Sequence, residues 1–347
     1  EYYGMLADAS GLTNRLLQTL DDQRRDGFRS NLLLASLWLK NAPHNRPWRQ
    51  RIMRDLAMTI NRSELPLGVR ERLAFRLIQS RDPRVPTLFR KMMLSPQNAI
   101  RLMGNLGCGL LNDTQSINDL AAMIYDPDPL VSRSANLAMV AIDTPESIEV
   151  VARTLLEAPE DVRRSAAEAL AYHPKEGHPV LKEGAEHEDI LVRRAVVFGL
   201  ALVRERWSHR LLNHIQVEDA QWVVRAAAEQ ILDERQKPNR LIARKKKQVH
   251  ELPWLMNFAG SVGMGLSPGP LAWEILTRSV RSGSADQKLA ALEMLRLNPE
   301  WAETCYADLY HLMYSGDHEM REAAFYTLWY IKNSGFKLPS PVKFGLG

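Results

Sequence analysis

The chain of 347 residues has only two cysteines, Cys108 and Cys305, far apart in sequence. Two thiols cannot build a disulfide framework or, alone, a zinc site. They suit a reducing compartment, so a cytoplasmic location is expected. Long apolar runs are missing as well. No stretch of eighteen residues is apolar enough to cross a bilayer, and no membrane partner is expected. The opening segment EYYGMLADAS lacks the basic start and apolar middle of a secretion signal. It also lacks an initiator Met, so the chain is expected to be part of a larger protein or complex. The signatures of phosphate loops, dinucleotide folds, nucleophile elbows and HExxH metalloproteases are absent. No catalytic residues, cofactor or metal are therefore expected, and the chain is read as non-enzymatic.

Aromatic residues make up 7% of the chain and glycine is modest at 19 positions. The apolar content is 45%, enough for a substantial core, and it leans on Leu, Ala, Met and Ile. Those residues favour helix over sheet. The net charge of +4 hides an asymmetry. Residues 1–104 hold 18 Lys and Arg against 9 Asp and Glu, residues 105–236 hold 13 against 22, and residues 237–347 hold 14 against 10. Opposite fields along one chain bear on its partners rather than on its fold.

A repeat runs through the sequence. Aligned on the basic residue that opens each helix of small residues, the units start at Arg70, Arg101, Arg133, Arg163, Arg193, Arg225, Lys288 and Arg321. These starts are evenly spaced except between Arg225 and Lys288, where the interval is doubled and a divergent unit, Pro253 to Leu266, fills its middle. The period, about 31 residues, accommodates two short helices and two turns. The first helix carries small residues such as Ala166, Ala167 and Ala169, which permit close approach. The second carries large apolar residues at helical spacing, such as Ile148, Val151 and Leu155. One such hairpin cannot bury its own apolar face, but a stack of them can. Asp126-Pro-Asp-Pro, Ser282-Gly-Ser and Ser315-Gly-Asp-His supply capping and breaking residues at the joints.

The acidic turn, then Val-Arg, then Ala-Ala-x-x-Leu resembles the HEAT-repeat family in its short bacterial form, the form also found in phycobilin lyases. The resemblance covers residues 69–335, most strongly 126–235 and 282–333. It implies an all-α fold, a right-handed α-solenoid of stacked helical hairpins, with HEAT-like repeats of about 31 residues. Residues 1–68 read as an irregular helical N-terminal cap or divergent repeats. Residues 336–347, with two prolines and little helical pattern, read as an extended tail.

The resemblance also implies that the repeated arginines Arg133, Arg163, Arg193, Arg225 and Arg321 pair with acidic residues of adjacent turns, forming a structural ladder. Asp128, Asp161, Asp189 and Asp219 stand close before them. One HEAT-repeat enzyme, deoxyhypusine hydroxylase, holds a di-iron centre with His-Glu pairs. The pairs here, His187-Glu188, His250-Glu251 and His318-Glu319, do not occupy equivalent repeat positions, so no metal site is expected. Gly104, Gly107 and Gly109 read as close helix packing, as do Gly260, Gly263 and Gly265, with a helix C-terminus as the other reading. Two basic features remain. The run RLIARKKKQVH contributes Arg240, Arg244, Lys245, Lys246 and Lys247, and the Arg-rich N-terminal third contributes Arg46 and Arg49. Together they make a candidate surface for an anionic partner, because guanidinium groups engage phosphate and carboxylate by paired N–H donors. The expected function is a protein–protein interaction scaffold or sensor module. Its partner would be another protein or another domain of the same polypeptide. Nucleic-acid binding through the Arg-rich third and the 235–250 block is the alternative.

Overall fold

The computed structural model describes residues 18, 26–43, 46–236, 253–263 and 270–346. Among them every regular element is helical, and no helix is long and apolar enough to cross a membrane. The α-helices among the described residues are α1 Ser30–Ser36, α2 Pro47–Ile60, α3 Leu67–Gln79, α4 Val85–Met93, α5 Asn98–Leu110, α6 Ile117–Met123, α7 Pro129–Ile142, α8 Pro145–Glu157, α9 Glu160–Leu170, α10 Gly177–Gly184, α11 Ile190–Leu202, α12 Arg206–Glu218, α13 Trp222–Gln236, α14 Pro253–Ser261, α15 Pro270–Ser282, α16 Ala285–Leu297, α17 Tyr306–Ser315 and α18 His318–Asn333.

The helices start where the turn chemistry directs. Asp128 accepts from the N–H groups of Leu130 (2.9 Å) and Val131 (3.2 Å), and Pro129 opens α7 with its missing N–H where none is needed. Thr144 and Ser147 form a reciprocal capping box on α8, and Ser284 and Gln287 do the same on α16. Asp189 caps α11 through Leu191 N–H (2.8 Å), and Asp317 caps α18 through Met320 N–H (2.8 Å). Between α7 and α8 the chain reverses at Asp143, whose φ is +56°. Asp tolerates this left-handed conformation better than most side chains.

Two compact units result, residues 74–238 and residues 1–73 with 239–347. In the first, α5, α7, α9, α11 and α13 pack successively against one another as one layer. The hairpin partners α4, α6, α8, α10 and α12 form the second layer. Small residues set the spacing of the first layer. Ala166, Ala167 and Ala169 are fully buried, and a Cβ at Gly199 would come within 2.5 Å of Ala167 O, so α11 needs glycine there to lie against α9. A Cβ at Gly107 would run into the Phe89 ring, and one at Gly109 would come within 2.7 Å of Ala138 Cα. These two glycines let α5 meet α4 and α7. Gly260 has no close neighbour among the described residues and Gly263 takes φ +69° just beyond α14, a helix-end role, while Gly265 lies outside the described residues. The second layer contributes the large side chains Ile148, Val151 and Leu155, all buried.

The other unit joins the two ends of the sequence. Glu322 of α18 accepts from Leu67 N–H at 2.6 Å, at the start of α3. Phe28 packs on Phe325 and Trp329, with ring centroids 5.8 and 5.9 Å apart. Arg72 lies 3.4 Å from the centroid of the Trp329 ring. The first helices pack with the last, because the apolar and hydrogen-bonding faces of α18 are completed by residues 28–72. After Gly335 the chain runs irregularly to a short 3-10 turn at Pro341–Phe344, and Tyr310 Oη donates to Pro339 O at 2.9 Å. Cys108 and Cys305 are buried free thiols, one in each unit, and burial pushes both pKa values up to about 12. They are core residues rather than nucleophiles.

Candidate interaction surface

The repeated arginines divide into two rows by the groups they bond. Arg163 Nη1 meets Asp189 Oδ2 at 2.7 Å, and its Nε donates back to Ala158 O. Arg193 holds Asp219 by two bonds, 2.8 and 3.2 Å, and donates to His187 O and Glu188 O. Arg101 does the same with Asp126, at 2.7 and 2.9 Å, and with the carbonyls of Ser95 and Pro96. Each guanidinium thus closes its own turn and reaches the carboxylate of the next.

Arg133 is not in that row. Ser132 occupies the equivalent position and closes the turn through Ile124 O at 2.6 Å. The internally bonded series is therefore Arg101, Ser132, Arg163, Arg193 and Arg225, one residue earlier in α7 than the sequence alignment put it. Arg225 donates to the carbonyl of Asp219 (2.6 Å) rather than to a carboxylate, and the turn that follows α13 falls outside the described residues. Arg321 bonds two carbonyls, Gly316 O at 3.2 Å and Ser63 O at 3.1 Å.

Arg133 belongs with Arg164 and Arg194 on the outer face of the first layer. Glu168, almost fully buried, sits between Arg133 (2.9 Å) and Arg164 (3.1 Å). Arg164 also stacks on Phe198, 3.9 Å from the ring centroid, and Arg194 pairs with Glu160. Beneath this network lies an amide series that periodicity alone did not reveal. Asn105 Nδ2 donates to Ser134 Oγ (3.0 Å) and Asn136 Nδ2 to Ser165 Oγ (2.8 Å), both buried and both between adjacent first-layer helices. The signal was present, since Asn105 and Asn136 stand one period apart, as do Ser134 and Ser165.

Of the candidate surface for an anionic partner, only Arg46 and Arg49 lie among the described residues. Arg49 is 0% exposed, and its Nη1 donates to the carbonyls of Leu39 and of Ala42 (3.2 Å), locking the turn before α2. Arg46 is half-buried at the N-cap of the same helix. Arg240, Arg244, Lys245, Lys246 and Lys247 lie outside the described residues, as does His250. Elsewhere in the Arg-rich third, Arg70 is buried against Ile60 O (2.8 Å), Arg84 pairs with Asp82 (2.9 Å) and Arg90 with Asp113 (3.1 Å). Much of that positive charge therefore terminates helices and turns. Of the His-Glu pairs, His187 accepts from Asp189 N–H at 3.0 Å and His318 opens α18. Among the described residues no three His, Cys, Asp or Glu side chains gather as a metal site.

One set of exposed residues suited to contact is apolar. Ile190 and Leu191 open α11 and Trp222 opens the adjoining α13, and Trp222 is 69% exposed. Leu130 stands exposed at the start of α7, separated from them by Glu160 and Asp161 on α9.

The HEAT repeats family model matches residues 85–171. No curated protein matches the sequence. Among solved structures, human deoxyhypusine hydroxylase in complex with glycerol is similar at 14% identity and a TM-score of 0.35, over 82% of this chain and 97% of that one. A chain of the Kap95p–RanGDP structure, from work on nuclear import complex assembly, is similar at 13% identity and a TM-score of 0.32. That match covers 98% of this chain and 46% of that one. Helical hairpins stacked once per sequence period accompany the match, which places HEAT repeats in residues 85–171.

Proposed function

We propose that the chain is a non-enzymatic interaction scaffold of the cytoplasm, whose first-layer edge in residues 74–238 docks another protein or a further domain of its own polypeptide. The observation that carries this reading is the group Ile190, Leu191 and Trp222. A tryptophan more than two thirds exposed at the start of α13, with two exposed aliphatic side chains at the start of the adjoining α11, offers an aromatic anchor for an interface. HEAT repeats supply the rigid, extended support such a surface requires. The internal use of Arg49, Arg70, Arg84, Arg90 and Arg101 weighs against a phosphate track, which needs its cations free and on one face.

The test is capture and identification of the partner from the native cell. Titration with wild type, Trp222→Ala and Leu191→Asp follows. Affinity at least about tenfold weaker in both variants is expected. Unchanged affinity in both would overturn the assignment of the edge. A parallel salt titration with short DNA and RNA addresses the alternative. Micromolar or tighter binding that falls steeply with salt would put nucleic acid first.

A further inference from the structure

Within residues 74–238, most arginines of the first layer meet a carboxylate. The turn from α11 into α12 is an exception. There an opening of about 620 Å³ is lined by Ala201, Val203, Arg204, Arg206, His209, Arg210 and Arg235, with Glu205 at its rim. Arg204, Arg206 and Arg210 are exposed and make no hydrogen bond or ion pair with any described residue. Arg206 and Arg210 are one helical turn apart on α12, so their side chains rise from the same face. Arg235 reaches in from α13, and its Nη2 donates to Leu200 O (2.6 Å), Ala201 O (3.0 Å) and Val203 O (3.0 Å). That guanidinium closes the end of α11 and has no carboxylate partner among the described residues.

The one acid at the rim is already engaged. Glu205 accepts from Trp207 Nε1 at 2.6 Å and faces His178 Nδ1 at 3.6 Å. It makes no side-chain cap on α12, whose first amide N–H groups add their positive ends to the same place. Four guanidinium groups are thus gathered around one carboxylate, which leaves a net excess of positive charge among the described residues. Clustered like charges without internal partners are the arrangement expected where the compensating charge arrives with a ligand.

We infer that this opening binds a short acidic segment of a partner protein. Arginine forks suit carboxylates, and the floor of Ala201 and Val203 suits an apolar side chain between them. The surroundings argue for a short segment. Residues 105–236 carry 22 acidic against 13 basic residues, so the cluster is a positive island in a negative stretch. Glu183 and Glu186 of α10 and Glu229, Asp233 and Glu234 of α13 are exposed and acidic. A nucleic acid, charged at every nucleotide, meets repulsion beyond the island. A few carboxylates do not.

The inference rests on the scaffold reading and adds the chemistry of what is bound. The experiment is fluorescence anisotropy with a labelled peptide of repeated Glu-Glu-Leu triplets, its Gln-Gln-Leu counterpart, and an oligothymidylate of equal charge. The expected result is binding of the acidic peptide that weakens with salt, and no binding of the amide peptide. In Arg206→Glu/Arg210→Glu, and in the milder Arg206→Gln/Arg210→Gln, affinity should fall at least about tenfold, with the circular dichroism of the folded protein retained. Absence of acidic-peptide binding, or equal binding by both variants, overturns the site. Tighter binding of the oligothymidylate that is lost in the same variants overturns the acidic-segment assignment in favour of a polyphosphate ligand. The Trp222→Ala titration is independent of these arms, so the scaffold reading fails or stands separately.

Discussion

Arg193 and Asp219 are joined by two hydrogen bonds, 2.8 and 3.2 Å, that reach from one hairpin to the next. Both side chains are largely buried, and the same guanidinium satisfies two turn carbonyls. Arg193→Ala removes all four bonds and leaves Asp219 without its cation. A loss of about 2–4 kcal/mol is expected, read as a lower urea midpoint. The pair also makes a pH prediction. Burial acts to raise the Asp219 pKa, but the Arg193 bond, the Gln221 N–H and the neighbouring positive charges outweigh it and hold the carboxyl below its usual value. Asp189 is lowered by the Leu191 N–H first and by Arg163 second. A lowered folded-state pKa gives stability that is complete above the unfolded value of about 3.9 and is lost as pH falls through the folded one. The melting temperature should therefore drop on acidification below about pH 4, and less steeply in Arg163→Ala/Arg193→Ala. Parallel acid profiles for the two proteins would count against the ladder.

The buried amide series predicts pairwise coupling. Asn136 and Ser165 bond at 2.8 Å between α7 and α9. A double-mutant cycle of Asn136→Ala and Ser165→Ala should give a coupling energy of about 0.5–1.5 kcal/mol. Strict additivity would mean that the bond contributes nothing measurable.

Gly107→Ala tests the contact of α4 with α5. The new methyl would meet the Phe89 ring, which is itself fully buried. The cost should be about 1–3 kcal/mol by overpacking, and Phe89→Leu should recover part of it. Gly260→Ala, with nothing among the described residues within 4 Å, should be stabilising or neutral.

Arg296 offers the opposite sign. It is 2% exposed, its Nε and Nη1 have no hydrogen-bond partner among the described residues, and burial lowers its pKa to about 10. Replacing a buried charge whose donors are incompletely bonded with an apolar side chain of similar length removes a desolvation cost. Arg296→Met should hold or raise the melting temperature. A fall of several degrees would reveal a role the hydrogen bonds do not display.

The period was legible because it is written in residue types with one use each. Alanines and glycines mark where helices touch, Asp and Pro mark where they begin, and both repeat. The register of Arg133 was not legible, because Ser132 performs the same carbonyl-closing task with a different side chain and leaves an arginine one position further on. The fate of Arg49 was equally hidden. An arginine beside Trp48 and Arg51 reads as surface until Leu39 and Ala42 turn their carbonyls toward it. The union of residues 28–72 with α18 depends on Glu322, Phe325 and Trp329, which read as ordinary positions of an amphipathic helix. The arginine cluster at α12 was not legible because it sits within the most acidic part of the chain and Arg235 joins it only through the packing of α13.

The pairing of early and late residues in one unit has a consequence for synthesis on the ribosome. Residues 74–238 are continuous, so their helices can stack hairpin by hairpin as they emerge, each resting on one already made. Phe28 and Leu67 emerge earlier and must wait for Phe325 and Glu322, which come last. Until then the first helices have an uncovered apolar face. They are the part of a nascent chain on which a chaperone would act, and the part a premature stop codon would leave without its counterpart.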